Sequence, residues 1–383
     1  MSRCCLGLSM AHIRYTHSAM IDGVPTKGFP VIISQAHEID GRTLKYFFGL
    51  LRTRRVSSVR TCASHLLDLI GQLEVDQRAL ESLDEAWFTA YKKAILGRLN
   101  GRGRFNSENY ACQVLRSVIS YCHWIEQQGY ARLFCGTSDL HAIQISQRLD
   151  DSISHPLFRD RSTDKRSSKA PRSEWIETVK AHARVTDDAS LKTDLMFDWC
   201  SSAGTRAQEI CSLTLPRLPS RTAAEAAAAG GYNLQVELDE AKGGSKAPLP
   251  VSAVLVLRTW DYVLHQRCLL LAKFKKATRA KREPYVEPLE IFISATTGRG
   301  MSARAFSNTV RRAFLRAVAA NELQEEQRVW THGLRHNYGT RLIRRLDEQG
   351  AREPERIAQV GTRHRSKESL EIYTYERFSG DFS

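Results

Sequence analysis

Apolar positions recur at helical spacing from Gly41 onward. In RTLKYFFGLLRTRRVSSVRTCASHLLDLIGQL, Leu44, Phe47, Phe48 and Leu51, then Cys62, Leu66, Leu67 and Ile70, fall at the intervals that bring side chains onto one helix face. A third helix is predicted near Leu83 to Leu99. A fourth follows NSEN, where Val114, Leu115, Val118, Ile119 and Trp124 form a stripe. These segments predict an all-helical domain over 41–154, of ordinary domain size. Residues 1–40 hold only weak periodicity and short apolar runs such as FPVII, and read as a loosely patterned extension.

The periodicity lapses at HPLFRDRSTDKRSSKAPR. Proline, serine and charge mark residues 155–172 as a linker. Its basic residues (Arg159, Arg161, Lys165, Arg166, Lys169 and Arg172) face only Asp160 and Asp164. That suits either a solvated connection or a strap that touches phosphates. A second domain is expected over 173–383. It opens with two helical stretches, SEWIETVKAHARV and SLKTDLMFDWCSSAG. Tyr232 to Val251 then reads as a hairpin. Leu234, Val236 and Leu238 alternate with polar residues, and Gly243 and Gly244 supply the turn. Helices resume at Ser252. The expected fold is therefore mainly α with a small β-sheet: an all-helical first domain and a mixed α+β second one.

Charge narrows the class of partner. Lys and Arg number 56 against 42 Asp and Glu, a formal net charge of +14. Such a surface favours a polyanion, of which nucleic acid is the commonest. The block KFKKATRAKR sharpens this, with Lys273, Lys275, Lys276, Arg279, Lys281 and Arg282 and no acid. It reads as a solvated loop or a phosphate-contact patch. No apolar run reaches the roughly 20 residues that span a bilayer, and the start of the chain is too polar for a signal peptide. The nine cysteines are scattered and hold no C-x-x-C pair. They suit reduced thiols in a cytoplasmic protein, not a zinc site or a disulfide framework.

Four short segments could carry chemistry. In THGLRHNYGTRL, Thr331 reads as an N-cap, placing His332 and Arg335 on one face of the first helical turns, where backbone N–H groups favour an anion. In AGTRAQEICSL, Gly204 breaks a helix and Thr205 with Gln208 has capping-box spacing. Arg206 then projects from a helix start, and Glu209 can hold its guanidinium. The hairpin tip KGGSK carries Lys242 and Lys246. Last, His364 precedes Tyr373 by nine residues, with Ser366 and Ser369 between, and Tyr375 lies two further on. Each segment alone also fits a plain capped helix, a solvated turn or a tail anchored by aromatics.

Their order is the informative feature. AGTRAQEICSL, EAKGGSKAPLPV, THGLRHNYGTRL and HRSKESLEIYT, in that sequence within a basic chain, resemble the tyrosine recombinase (phage integrase) family. The resemblance covers most of 173–383. By position and pattern, residues 41–154 resemble that family's helical core-binding domain. It implies a C-shaped clamp on double-stranded DNA, acting as a homo-tetramer on paired sites or with co-acting recombinase subunits, in the cytoplasm at the nucleoid. It also implies DNA breakage and rejoining through a 3′-phosphotyrosine, without metal, ATP or other cofactor, and service to a mobile element. The carried-over roles are Tyr373 as nucleophile, Arg206 and Arg335 as clamps on the phosphate oxygens, and Lys242 as general acid. His332 and His364 would donate hydrogen bonds to the phosphate or take the tyrosine proton, with Glu209 in support. Tyr375 would face nearly the opposite way from Tyr373 on a helix.

One departure stands out. The family places glycine directly before the late histidine, whereas here Thr362 and Arg363 separate Gly361 from His364. Two other readings share much of this pattern: a DNA-binding relative that does not cut, and a type IB topoisomerase. The first has no need of a nucleophile, and the helical first domain favours the recombinase over the second.

Overall fold

A computed structural model describes residues 11–101, 103–149, 152–159, 170–184, 187–238, 248–280 and 285–363, side chains at 187–190 and 279–280 excepted. The chain divides into two compact units, Met1–Lys165 and Arg166–Ser383.

The first unit opens with strands β1 (His12–Tyr15), β2 (Ala19–Ile21), β3 (Val24–Thr26) and β4 (Pro30–Ile33). β1 pairs antiparallel with β4, His12 opposite Ile33, and β2 with β3. Residues 12–33, expected as loosely patterned extension, thus form two small sheets. Their signal was present in the chain. Asp22 and Gly23 both take positive φ, 50° and 77°, as a two-residue hairpin turn requires. Helices α1 (Gly41–Leu51), α2 (Val56–Asp76), α3 (Glu85–Gly97) and α4 (Glu108–Gln127) follow. Asp40, Asp84 and Ser107 cap α1, α3 and α4 by accepting backbone N–H groups of Thr43, Trp87 and Tyr110. The predicted stripes are largely buried. Val114, Leu115, Val118 and Ile119 of α4 meet Phe47, Val59 and Leu66, and Phe29 and Ile32 of the strand segment join the same core. Phe48, predicted to be inward, is exposed, but its ring stacks on Phe29 at 5.1 Å.

After α4 the backbone makes only short pairings: β5 (Cys135–Gly136) with β6 (Ile143–Gln144), and β7 (Ser146–Gln147) with β8 (Ile153–Ser154). Two residues of the expected linker are packed in the first unit. His155 is buried against Glu85 at 2.8 Å and Phe158 enters the core of the first unit. At the other end, Pro171 gives its carbonyl to Asn337 of the second unit.

The second unit contains α5 (Ser173–Ala183), α6 (Asp187–Ser202), α7 (Ala207–Cys211), α8 (Arg221–Gly230), β9 (Asn233–Val236), β10 (Leu249–Ser252), α9 (Ala253–Tyr262), α10 (Cys268–Ala280), α11 (Ala303–Ala319), α12 (Thr331–Glu348) and α13 (Pro354–Thr362). A π-helical turn, Val263–Arg267, joins α9 to α10. β9 and β10 pair antiparallel with Val236 opposite Leu249, so a strand pair forms where the hairpin was expected, offset by two residues from the register that a turn at Gly243 and Gly244 would set; its tip, residues 239–247, lies outside the described residues. The core gathers Phe197 and Trp199 of α6, Tyr262, Phe292, Phe306 and Leu334. α6 lies against α9 and α12, and α5 against α11. Trp199 donates its indole N–H to Thr259 at 3.0 Å, which satisfies the polar atom of that fully buried ring. Among the described residues, no helix is long and apolar enough to cross a membrane.

The strand segment can be tested through Phe29, which is 1% exposed. Phe29→Ala should cost about 3–5 kcal/mol of stability in the first unit, read by urea denaturation of the full chain. A loss below about 1 kcal/mol would mean that the strands rest on the helices without sharing their core.

Candidate active site

α6 ends at a tight turn, and glycine is needed there twice over. Gly204 has φ of +67°, and a Cβ on it would sit 2.4 Å from the Tyr338 ring. The turn delivers Arg206 to the start of α7. The cap differs from expectation: Arg206 itself, not Thr205, is the N-cap residue. Glu209 Oε2 accepts the Arg206 backbone N–H at 2.8 Å, and its Oε1 accepts Nη1 of the same residue at 2.7 Å. Thr205 is instead buried, with its hydroxyl on the Cys200 sulfur.

α12 supplies the second arginine. Its N-cap is Trp330; Thr331 is already helical and shares a hydrogen bond with Ser307 of α11. His332 is exposed in the first turn, edge-on to His336 at 4.6 Å. Arg335 is 0% exposed. Its Nη1 donates to the Gly204 carbonyl and its Nη2 to the Thr362 carbonyl. This departs from the expectation of an arginine open to an anion, since a buried guanidinium must fill its donors with whatever acceptors the fold supplies.

α13 brings the third side of the cluster. It packs through Gly361 against Leu342 and Tyr338, where a Cβ would meet Leu342 at 2.8 Å. It ends at Arg363, in the left-handed region at φ 54°. Arg363 Nη2 donates to Glu209 Oε2 at 2.6 Å, with both side chains essentially buried. Two braces thus cross between segments distant in sequence: Gly204–Arg335–Thr362 and Arg206–Glu209–Arg363. Neither Thr362 nor Arg363 was a candidate from sequence, although the pair is the departure noted between Gly361 and His364.

The charges respond to this packing. Burial would push the Glu209 carboxyl up. The Arg363 guanidinium, then the Arg206 backbone N–H and guanidinium, outweigh burial and hold it below the usual carboxylate range. His336 is pushed down to about 4, by burial first and then by His332 and Arg335. It is therefore neutral at pH 7.

Lys242, His364 and Tyr373 lie outside the described residues, as do Arg161, Lys165, Arg166, Lys169, Lys281 and Arg282; Arg279 falls on α10 with its side chain undescribed. Arg159 is exposed on the first unit. Lys273, Lys275 and Lys276 sit on the exposed side of α10, where a loop was one reading of KFKKATRAKR, and Lys275 pairs with Glu287 at 3.0 Å. α10 forms there because Leu270 and Leu271 pack on Ile293 and carry the basic block with them. Among the described residues, no cluster of His, Cys, Asp and Glu could hold a metal ion.

No protein-family model and no curated protein matches this sequence. Solved structures do match it in fold. The Tn1549 transposon integrase, in complex with transposon right end DNA, superposes with TM-score 0.54 at 15% identity, over 87% of this chain and 93% of that one. A lambda integrase dimer bound to a COC′ core site gives 0.52 at 13% identity, over 88% and 95%. The XerH site-specific recombinase on a palindromic difH substrate gives 0.52 at 14%, over 88% and 86%. The mostly helical fold with small sheets is the one these integrases and this recombinase share, as the motif resemblance implied.

Two measurements probe the cluster. The folded pKa of His336 lies below the ordinary 6.5, so the unfolded chain binds the extra proton first as pH falls. Stability should be undiminished by this group above pH 6.5 and fall by on the order of 3 kcal/mol towards pH 4. His336→Gln should flatten the pH dependence of Tm in that window, and an unchanged slope would assign the loss to other groups. Arg335→Lys should lower stability by on the order of 1–3 kcal/mol, because a compact ammonium does not reproduce the planar fork by which two guanidinium nitrogens reach the separate carbonyls of Gly204 and Thr362. A Tm equal to wild type would show that those carbonyls find other donors.

Proposed function

We propose that this chain is a tyrosine-type site-specific DNA recombinase that serves a mobile element. The observation that carries the proposal is the meeting of Arg206 and Arg335 through the Gly204, Glu209, Thr362 and Arg363 contacts. Two guanidiniums far apart in sequence share one cluster, as two non-bridging oxygens of a single phosphate require. The likeness in fold to DNA-bound integrases supports the same reading, as does the net charge of +14.

In this reading residues 41–154 form the core-binding domain and 173–383 the catalytic domain. The substrate is double-stranded DNA, held by a homo-tetramer or with co-acting recombinase subunits. Arg159 and the basic face of α10 add phosphate contacts that give affinity without sequence choice. The Tyr373 oxygen attacks the scissile phosphorus and gives up its proton to His332 or His364. The bond from phosphorus to the 5′-oxygen breaks, and that oxygen leaves with a proton from Lys242. A tyrosine of ordinary pKa near 10 is ionised to only about one part in a thousand at neutral pH, which is why the base and the two arginines are needed. The product is a 3′-phosphotyrosine and a free 5′-hydroxyl; attack by the partner strand's 5′-hydroxyl reverses the step. For Arg335 to reach the phosphate in this reading, its hydrogen bonds to the Gly204 and Thr362 carbonyls must give way.

The burial of Arg335 also favours a second reading, a DNA-binding relative that does not cut. A covalent trap separates the two. Wild type and Tyr373→Phe are incubated with nicked duplexes from the flanks of the gene's own locus, denatured, and examined for protein-linked DNA. An adduct formed by wild type and absent from Tyr373→Phe is expected. Tight binding with no adduct from either would move the assignment to the non-cutting relative.

A further inference from the structure

The two residues that interrupt the glycine–histidine step are the two that reach this cluster. Thr362 offers its carbonyl to Arg335, and Arg363 offers its guanidinium to Glu209. Glu209 is shared, since Oε1 takes Nη1 of Arg206 at 2.7 Å while Oε2 takes the Arg206 backbone N–H at 2.8 Å and Arg363 at 2.6 Å. A buried carboxylate bonded to Arg206 alone would cancel that guanidinium's charge, leaving little field for a phosphate. With Arg363 present, the three side chains carry a net single positive charge. At 1% and 2% side-chain exposure for Glu209 and Arg363, water screens little of it.

Two further observations single out Arg363. It occupies a left-handed helix-end position, φ 54°, that glycine fills at least cost, so a long side chain there runs against local preference. Its Nε and Nη1 are buried and have no hydrogen-bond partner among the described residues. Its charge is therefore answered by Glu209 alone among the described residues.

We propose that Arg363 is a positioning residue for strand cleavage. It holds the Glu209 carboxylate and offsets its charge, so that Arg206 keeps both its place and its positive field for the phosphate. This inference rests on the recombinase reading above.

The test uses full-length wild type, Arg363→Gln, Arg363→Lys, Glu209→Gln and the Arg363→Gln/Glu209→Gln double variant. The probe is the nicked duplex from the gene's flanks. Affinity for the duplex and the rate of adduct formation at saturating DNA are measured separately, per folded molecule. Arg363→Gln should bind within about twofold of wild type and cleave on the order of a hundredfold more slowly, as a misplaced catalytic group does. Arg363→Lys keeps the charge and should recover part of the rate, which also keeps the inference testable where Arg363→Gln folds poorly. The double variant should be no slower than the slower single one, because both act through one contact. Cleavage by Arg363→Gln at the wild-type rate, a defect confined to affinity, or single-variant losses that multiply would each overturn the inference while leaving the recombinase reading intact. Absence of any adduct from wild type would overturn both.

Discussion

The candidate site is organised around one buried carboxylate. Glu209 is 1% exposed and answers two guanidiniums and a backbone N–H at once. A carboxylate taken out of water is costly unless it is fully bonded, and removing one partner of such a cluster leaves an uncompensated charge. The turn after α6 and the end of α13 are therefore held to one another by electrostatics as well as by packing.

Packing sets the distances over which those charges meet. Gly204 lies against Tyr338, Gly361 against Leu342, and Gly333 against Trp330. At each of these contacts a Cβ would intrude, so absent side chains are what let three backbone segments close around Arg335. The Leu334 side chain beside it belongs to the main core of the second unit, which fixes α12 against α6. The arginine is thereby carried on a rigid element, the kind of support that a catalytic group needs to keep its geometry.

The burial of Arg335 gives the site a closed character. Two carbonyls that it bonds come from different segments, Gly204 from the turn and Thr362 from α13. Neutral His336 lies beside it on the same helix, so the interior of α12 adds no second cation next to the arginine at pH 7. Arg206, with 20% of its side chain exposed, is the more accessible of the two. An anion that approaches the cluster would meet Arg206 and exposed His332 before it met Arg335.

Much of this was legible in the chain. Helical periodicity placed α1 to α4, alternation placed β9 and β10, and the motifs around Arg206 and Arg335 singled out two residues that the fold brings into one cluster. These signals are local, and local spacing suffices to define a helix face or a strand pair. Asp22-Gly23 was equally local and marked a hairpin that the weak pattern around it concealed. What the sequence could not supply was partnership across distance. That Phe29 completes the core of the first unit, that His155 and Phe158 pack instead of linking, and that the cap of α7 falls on Arg206 all depend on which surfaces meet. The same holds for Arg363. As text it was an interruption between Gly361 and His364; only folding, which brings the end of α13 against the turn after α6, makes it the partner of Glu209. A charge finds its counter-charge through space, and spacing along the chain does not encode that distance.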